Sequence, residues 1–375
     1  MSDRKLAVLG IIAVVMVVLA VVQSRISNRP RARTDASVTY LIQGLDPAGI
    51  DKIIIGGGDD VVTLNRRDKH FLIAEKNDYP AEMGEINKLI TACLDVKVSE
   101  MITADPANHK ELGVTEDDAK GVVKFFKADG TAITGVVVGK TRGEQGQGTY
   151  VRLIGSDKVY VTDEAPWIRT GPLDYAKREI VSMDRKNIES VTVKTGDEKY
   201  TLKARPEGLD VLLEDVPEGK KPKYNDCTRV FTALTNVTFD DVKSKSAADT
   251  NLPFNTEYVC RLKDSTVYTL KVAKKDFKYY ISCDAEFTDQ TPVTKPDPNE
   301  SEEELKKKEA KLLAQDNVRL FNTMHKDWVY QIPDYKAENL VIRLSDLVED
   351  KEPPTEAAQE PNAAEDPNAA VVPGA

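Results

Sequence analysis

The feature that most constrains the fold of this chain is an internal repeat. The segments 50–67 (IDKIIIGGGDDVVTLNRR) and 188–205 (IESVTVKTGDEKYTLKAR) align at a constant offset of 138 positions, with six identities in 18. The identical pairs are Ile50/Ile188, Gly58/Gly196, Asp59/Asp197, Thr63/Thr201, Leu64/Leu202 and Arg67/Arg205. Each segment is an alternating strand, a Gly-Asp turn and a second strand, which is the pattern of a β-hairpin. A hairpin that occurs twice predicts a body built from two similar domains.

The similarity continues beyond the hairpins. Residues 89–98 and 230–239 align at an offset of 141, and both begin as an amphipathic helix and end as an extended stretch. Pairs of strands then flank a turn at 129–130 in the first copy and at 264–265 in the second. We expect Val151–Leu153 to recur as Val318–Leu320, each leading to an aromatic strand, at 159–161 or at 328–330.

These patterns predict an α+β protein with two tandem duplicated domains, residues 45–185 and 186–348, each an antiparallel sheet covered by a helix. The second domain carries an insertion at 284–317. Its second part, Ser301–Ala314, reads as a charged helix with leading glutamates and following lysines, an order that suits the helix dipole. This helix is either a solvated surface helix or a partner-binding helix. The second alternative depends on an apolar stripe of Leu305, Leu312 and Leu313.

The N-terminal segment predicts a membrane anchor. Leu6–Val22 is an unbroken run without a polar side chain, preceded by Arg4 and Lys5 and closed by Gln23, Ser24 and Arg25. In a helix this run would span roughly 26 Å, the short end of the range for a bilayer core. The alternative is a cleaved signal peptide, but its apolar region is usually shorter and no A-x-A site follows the run. We therefore expect residues 1–24 to form an uncleaved transmembrane helix that contacts the lipid bilayer through Leu6–Val22.

The flanking segments complete the organisation. Residues 25–44 form a basic tether, and residues 349–375 form an acidic tail rich in alanine and proline, with too few large apolar groups to order itself. The arginines of the tether would hold the body in the cytoplasm, but long domains translocate largely regardless of flanking charge. We expect a single-pass protein of the bacterial inner (cytoplasmic) membrane with its body on the periplasmic side.

Charge argues against one class of partner. The chain has 52 basic and 62 acidic side chains and a formal net charge of -10. A general nucleic-acid binder needs a basic surface that releases phosphate counterions, so we expect no nucleic-acid partner.

The motifs that could carry chemistry are weak. The segment Gly135–Thr141 resembles a phosphate-binding P-loop but places one residue too few before its Gly-Lys pair, and a helix-poor loop follows it. Gly56–Gly58 lacks the spacing of a dinucleotide loop and fits a hairpin turn, as do Asp59 and Asp197. No serine lies in a G-x-S-x-G elbow. The sequence therefore predicts no catalytic residue, no metal ligand and no cofactor.

The positions of the histidines and cysteines also predict no metal site. His70, His109 and His325 lie far apart in sequence, and the cysteines include no C-x-x-C pair. Cys93 falls on the apolar side of the first predicted helix, where the second copy has Leu234. Cys260 and Cys283 are expected on strands two apart, roughly 9–10 Å from each other and too far for a disulfide.

The order of motifs resembles the bacterial domain-of-unknown-function 4340 family over about residues 45–345. The resemblance rests on the anchor, the repeat segment, the helix and a series of short motifs. These motifs are I-x-K-I-x-I at 50–55, V-T-L-x-R at 62–66, Glu111–Val114, the strand pair around 129–130, V-V-V-G-K at 136–140 and Tyr150–Arg152. The resemblance implies a single-pass envelope protein. Some members of the family are encoded beside subunits of ABC-type transporters that resemble the gliding-motility auxiliary system. The family supplies no catalytic residues, and the insertion at 284–317 departs from its pattern.

Three hypotheses follow. The first is a non-enzymatic, membrane-anchored envelope protein that acts as an accessory component of an ABC-type transport or gliding-motility-like complex, with permease or ATPase subunits as partners. The second is a free-standing structural or adhesive envelope module that binds protein or polysaccharide. The third, more remote, is a carboxylate-dependent hydrolase, which needs two carboxylates facing each other across a cleft.

Overall fold

The computed structural model describes residues 39–57, 60–143, 147–205, 210–248, 251–294 and 300–351. The chain divides into two compact units, 1–176 and 177–375, here called the N-terminal and C-terminal units. The anchor predicted at Leu6–Val22, most of the basic tether, the pair Gly58 and Asp59, and the tail from residue 352 lie outside the described residues. Among the described residues, no helix is both long and apolar enough to cross a membrane.

The N-terminal unit is built mainly from strands. Its strands are β1 (Thr39–Tyr40), β2 (Lys52–Gly57), β3 (Asp60–Arg67), β4 (His70–Ile73), β5 (Tyr79–Pro80), β6 (Lys97–Val98), β7 (Glu100–Thr103), β8 (Gly121–Phe126), β9 (Ala132–Thr141), β10 (Thr149–Leu153) and β11 (Val159–Thr162). Its α-helices are α1 (Met83–Leu94) and α2 (His109–Leu112), and its 3-10 turns are Pro47–Gly49, Ala74–Lys76, Pro106–Asn108 and Pro172–Tyr175.

Nine of these strands form one antiparallel sheet, in the order β5-β4-β3-β2-β8-β9-β10-β11-β7. The predicted first hairpin is β2–β3, in which Ile53 pairs with Leu64. Both side chains are fully buried, because alternate residues of a strand turn to the same face. Helix α1 buries Ile86, Leu89, Ile90 and Cys93, which recur at helical spacing.

The C-terminal unit has the same character. Its strands are β12 (Glu179–Val181), β13 (Ile188–Thr195), β14 (Glu198–Ala204), β15 (Val211–Leu213), β16 (Lys220–Pro222), β17 (Val237–Thr238), β18 (Asp241–Ser244), β19 (Phe254–Leu262), β20 (Thr266–Lys275), β21 (Lys278–Phe287), β22 (Trp328–Ile332) and β23 (Val348–Asp350). Its α-helices are α3 (Tyr224–Phe231), α4 (Glu302–His325), α5 (Asp334–Ala337) and α6 (Leu344–Leu347), and its 3-10 turns are Arg185–Asn187 and Glu338–Leu340.

Eight of these strands form an antiparallel sheet in the order β15-β14-β13-β19-β20-β21-β22-β18. Helix α3 covers one face of it, since the hydroxyl of Tyr258 on β19 donates to the carbonyl of Val230 at 2.7 Å. The strand register carries that face across the sheet to Tyr330 on β22. His325 of α4 contacts Tyr330 through Nδ1 at 2.7 Å, so α3 and α4 lie on the same face.

The two large sheets share a strand order. Apart from β5, which has no counterpart, each strand of the nine-stranded sheet corresponds in position to one strand of the eight-stranded sheet. The α+β class is therefore confirmed, as are hairpins at both predicted positions. Leu64 on β3 and Leu202 on β14 are both fully buried, as the aligned repeat predicts.

One predicted correspondence is wrong. Val318–Leu320 is not a strand like Val151–Leu153, because these residues lie in α4, which continues to His325. The strand that occupies the position of β10 is β21, and residues 284–287 belong to it. The segment without a counterpart is thus the connection from β21 to β22, and the predicted helix extends well beyond Ala314. The prediction rested on three identical residues in sequence, which occur here in a helix and not in a strand.

Candidate functional site: an exposed helix and a polar pocket

The P-loop-like segment Gly135–Thr141 lies within β9. The turn from α2 crosses over this strand so closely that a Cβ atom at Gly139 would lie 2.6 Å from the carbonyl oxygen of Leu112. Gly113 ends α2 in the left-handed conformation, and Lys140 Nζ donates to the carbonyl of Glu111 at 2.8 Å. Two of the family-like motifs therefore pack against each other, and the glycine of the second permits the close approach of the first.

Arg152, which belongs to a third motif, also holds the β7–β8 connection (104–120) in place. Its Nε donates to the carbonyl of Val114 at 2.9 Å, and its Nη1 donates to the carbonyl of Ser156 at 3.0 Å. Burial lowers the pKa of Arg152, although nearby Glu116 and Asp157 oppose that shift. Val114 of this connection packs in a buried cluster with three valines of the sheet, Val122, Val137 and Val159. In the N-terminal unit the β7–β8 connection thus covers the face of the sheet that carries Val122, Val137 and Val159, through apolar contacts.

The turn residues and histidines are not brought together. Gly196 adopts a left-handed φ of 59° in the β13–β14 turn beside Asp197, as a hairpin turn requires. His70 is exposed on β4, His109 Nε2 lies 2.9 Å from the carbonyl of Asp157, and His325 contacts Tyr330. Among the described residues, no group of three or more His, Cys, Asp or Glu side chains is arranged to hold a metal ion.

The four cysteines lie in the core. Cys93, Cys227, Cys260 and Cys283 are buried and free. Burial raises the pKa of Cys93 and of Cys260 to about 12 and that of Cys227 to about 11. Because the thiolate is the reactive form, these thiols behave as small hydrophobic groups. Cys260 on β19 and Cys283 on β21 are separated by β20, the spacing predicted from the sequence.

Helix α4 packs on the sheet through Ala314, Val318 and His325, and its Phe321 ring meets the ring of Tyr268 edge-on at 5.0 Å. The rest of the helix surface carries several large side chains exposed to solvent, here called the outer stripe: Leu305, Leu312, Leu313, Leu320 and Met324. Sequence reasoning found the first three. It missed Leu320 and Met324 because it ended the helix at Ala314.

Several contacts hold α4 in place. Ser301 and Glu304 form a reciprocal capping box at its N-terminus. Lys311 pairs with Asp289 at 2.7 Å, and this bond, with hydrogen bonds from Thr291, holds the pKa of Asp289 far below its usual value. Near the other end, the Asn322 side chain bonds both the N–H and the carbonyl of Ala285, at 2.8 and 2.7 Å. Since β22 pairs with β21 only as far as Ile281, Asn322 supplies the hydrogen bonds that a neighbouring strand would give.

A second exposed group lies in the N-terminal unit. Trp167 is 86% exposed beside a groove lined in part by Glu85, Lys88, Arg169 and Tyr175. Hydrogen bonds from Lys88 and Arg169 hold the pKa of Glu85 below its usual value. The Arg169 guanidinium also lies over the Tyr175 ring, 5.7 Å from its centroid. The groove thus combines an aromatic platform with fixed charges.

The C-terminal unit contains a polar pocket of about 240 Å³. Its walls come from β18, β21, β22, the β20–β21 turn and the β18–β19 connection. The charged and polar residues that line it are Asp241, Lys243, Lys275, Asp276, Lys278, Tyr280 and Gln331. Ammonium groups thus outnumber carboxylates, so the pocket is unlike the paired-carboxylate cleft of the hydrolase hypothesis.

Comparison with known proteins gives a family. A family model described as "Domain of unknown function (DUF4340)" matches residues 72–255. No curated protein and no solved structure matches the chain. The matched range contains the β7–β8 connection, β9 and Arg152, whose interlocking contacts were described above. Residues 72–255 of the chain therefore belong to the DUF4340 family of domains of unknown function.

Proposed function

We propose that this protein is a non-enzymatic, membrane-anchored accessory component of an ABC-type transport or gliding-motility-like complex, and that it binds its partner through the outer stripe of α4. The stripe is the observation that carries the proposal. Surface leucines scattered singly are ordinary, but five large exposed apolar side chains on a single helix, with Leu305 and Leu312 and also Leu313 and Leu320 seven residues apart, have the spacing of anchors for a partner helix.

The position of α4 supports this role. Capping, the Lys311–Asp289 pair and Asn322 fix the helix from its first residue to its last turn. A helix held in this way presents Leu313 and Leu320 without further ordering, and pre-organisation of this kind lowers the entropic cost of association. Charged residues, such as Glu309, Asp316 and Arg319, lie beside and between the leucines of the stripe, where they can pair with charged groups of a partner.

The membrane part of the proposal rests on the sequence. Leu6–Val22 would anchor the chain in the bacterial inner membrane, with the body in the periplasm. The partner would then be a membrane protein of the same complex, such as a permease subunit, and the ATP chemistry would belong to a separate ATPase subunit. We further propose that the body arose by duplication, which the shared strand order and the aligned hairpins support.

The experiment compares two substitutions of matched chemistry. Leu320→Glu places a charge on the outer stripe, where the leucine is 52% exposed; Leu212→Glu places one on β15, where the leucine is 44% exposed. Tagged wild-type and variant proteins are recovered from detergent-solubilised membranes, and the co-purifying subunits are identified. We expect transporter subunits with wild type and with Leu212→Glu, and their loss with Leu320→Glu. Equal recovery by both variants would contradict the role of α4.

A second function, polysaccharide binding by a free-standing envelope module, is favoured by Trp167. An exposed indole beside fixed charged groups can stack on a sugar ring while the charges bond its hydroxyls. Co-sedimentation with purified cell-wall polysaccharide tests this alternative. Retention that is lost in Trp167→Ala would support the module, whereas no retention of wild type would remove it.

A further inference from the structure

The tip of the β20–β21 hairpin holds a large apolar side chain in an unusual backbone conformation. Lys275 on β20 pairs directly with Lys278 on β21, so Asp276 and Phe277 form a two-residue turn. Both turn residues have a positive φ, 50° and 61°, the left-handed geometry that such a tight turn requires. A positive φ is an outlier for a bulky residue, and of the residues that the structure describes, Phe277 is the one apolar side chain that adopts it.

Other hairpin turns of this protein place small residues at the left-handed position. The β8–β9, β13–β14 and β19–β20 turns have Gly130, Gly196 and Ser265 there. Packing does not compensate for the conformation of Phe277, because this residue is 90% exposed. A strained residue that contributes nothing to the core points to a role outside the fold, so we expect its ring to contact a partner.

The surroundings of the Phe277 ring narrow the choice of partner. Tyr335, which is 64% exposed, lines the same surface groove as Phe277, and Lys336 Nζ lies 5.6 Å from the centre of the Tyr335 ring. The segments 274–278 and 334–338, which carry the two rings, hold four lysines and three acidic residues. The patch therefore combines exposed aromatic rings and lysines with little net charge.

A membrane surface is the occupant that this patch fits. Aromatic rings enter the boundary between headgroups and acyl chains, while neighbouring lysines keep their ammonium groups at the level of the phosphates. The further acidic residue that lines the groove, Asp240, is paired with Arg178 at 3.1 Å. A convex turn can also enter a fluid surface, whereas it offers a folded protein only a small contact area.

The predicted anchor brings a bilayer within reach of this turn. Residues 23–38 separate Leu6–Val22 from the first described residue, Thr39, so the body begins within roughly 60 Å of the bilayer. Tethering raises the effective concentration of lipid, and a contact that is weak by itself becomes populated. We propose that Phe277 inserts its ring into the headgroup region of this bilayer, which makes the β20–β21 turn a membrane-contact loop. The proposal rests on the anchor of the proposed function and is independent of the outer stripe.

Fluorescence quenching by brominated lipids tests the proposal. The full-length protein is reconstituted into vesicles of phosphatidylcholine and phosphatidylglycerol, with or without bromine on the acyl chains near the headgroup. A thiol-reactive fluorophore is attached at Lys278→Cys, beside the turn, or at Lys263→Cys, an exposed position of the β19–β20 turn. The four native cysteines are buried, so they escape labelling. The Lys263 control lies at the opposite end of β20, roughly 30 Å away at the rise of an antiparallel strand.

The matched variant is Phe277→Gly in the protein labelled at position 278. It removes the ring and suits the positive φ of the turn, so it keeps the fold, which circular dichroism checks. We expect brominated lipids to remove most of the emission of the label beside Phe277 and to leave the Lys263 label unchanged. In Phe277→Gly the loss of emission should disappear, because the ring no longer holds the turn in the headgroup region.

Three outcomes would overturn the proposal. Equal quenching with and without Phe277 would show that the fluorophore enters the lipid by itself, and equal quenching at positions 278 and 263 would show that the turn is not singled out. An unquenched label beside Phe277 would leave a protein as the partner of the ring. Flotation of the vesicles tests the anchor separately: protein that floats with an unquenched label removes the membrane-contact loop alone, whereas protein that does not float removes the anchor as well.

Discussion

At the scale of single residues, the structure explains a glycine motif that resembled a phosphate-binding loop in the sequence. Gly139 follows three valines and precedes a lysine, the arrangement that invites comparison with a phosphate loop. Its position is set by sterics, because the Leu112–Val114 backbone passes directly over it. The spacing of the motif was enough to reject a phosphate loop. The reason for the glycine could not be found from sequence, because it depends on the β7–β8 connection, which lies well before Gly139 in the chain.

Gly139→Val should therefore destabilise the N-terminal unit. Its new Cβ would lie 2.6 Å from both the Leu112 carbonyl oxygen and Val114 Cγ1, and overpacking of this kind costs about 1–3 kcal/mol. Urea unfolding monitored by circular dichroism gives the change in free energy. Gly143→Ala is the control, since a Cβ there meets no atom within 4 Å. Equal stability of the two variants would refute the close approach.

His325 predicts a dependence of stability on pH. Burial, aided by the charge of Lys177, lowers the pKa of His325 from 6.5 to about 4. Above pH 6.5 its contribution to stability is fully present, and it is lost as the pH falls from 6.5 to 4, because the unfolded chain then binds the proton more readily. The loss should total about 3 kcal/mol.

The free energy of unfolding, measured between pH 7 and pH 4, checks this expectation. His325→Gln should flatten the dependence, whereas His70→Gln, at an exposed position, should leave it as in the wild type. A wild-type stability that stays constant across the interval, after subtraction of the His325→Gln curve, would show that His325 does not carry the effect.

At the scale of elements, the hairpins and the first helix of each unit could be predicted, because their alternation and helical periodicity are local. Helix α4 could be predicted only in part. Its charged first half has a clear capping and charge pattern, but its second half also contains Val318–Leu320, which matched a strand of the first copy. The outer stripe and the Asn322 contacts become visible only when the helix is continued to His325.

Asn322→Ala should loosen α4. The substitution removes two hydrogen bonds and leaves the N–H and carbonyl of Ala285 without these partners, at a cost of about 1–3 kcal/mol for each group left unsatisfied in a buried site. Hydrogen exchange at the Ala285 amide, together with urea unfolding, gives the measurement. Asn317→Ala, at an exposed position of the same helix, is the control and should have little effect. Unchanged protection of Ala285 would contradict the role given to Asn322.

At the scale of the whole molecule, the repeat gave reason to expect more than one unit, and the structure has two compact units. The polar pocket could not be predicted. The pocket depends on the register of three strands and on how one connection covers them, and neither is encoded in a short pattern.

Membrane attachment is the prediction that belongs to this scale. If Leu6–Val22 is an uncleaved anchor, the full-length protein should sediment with membranes and retain its N-terminal residues. Protease added to cells with a permeabilised outer barrier should digest the body. A soluble mature form that begins near residue 25 would show cleavage instead, and full protection from protease would place the body in the cytoplasm.

The most direct test of partner binding by the outer stripe is site-specific photo-cross-linking in native membranes. A photoreactive amino acid replaces Leu320 on α4 or, in a parallel sample, Leu212 on β15, and the cross-linked products are identified by mass spectrometry. The proposed function predicts a product with a permease subunit from Leu320 and none from Leu212. The same transporter product from both positions, or transporter products from Leu212 alone, would contradict it.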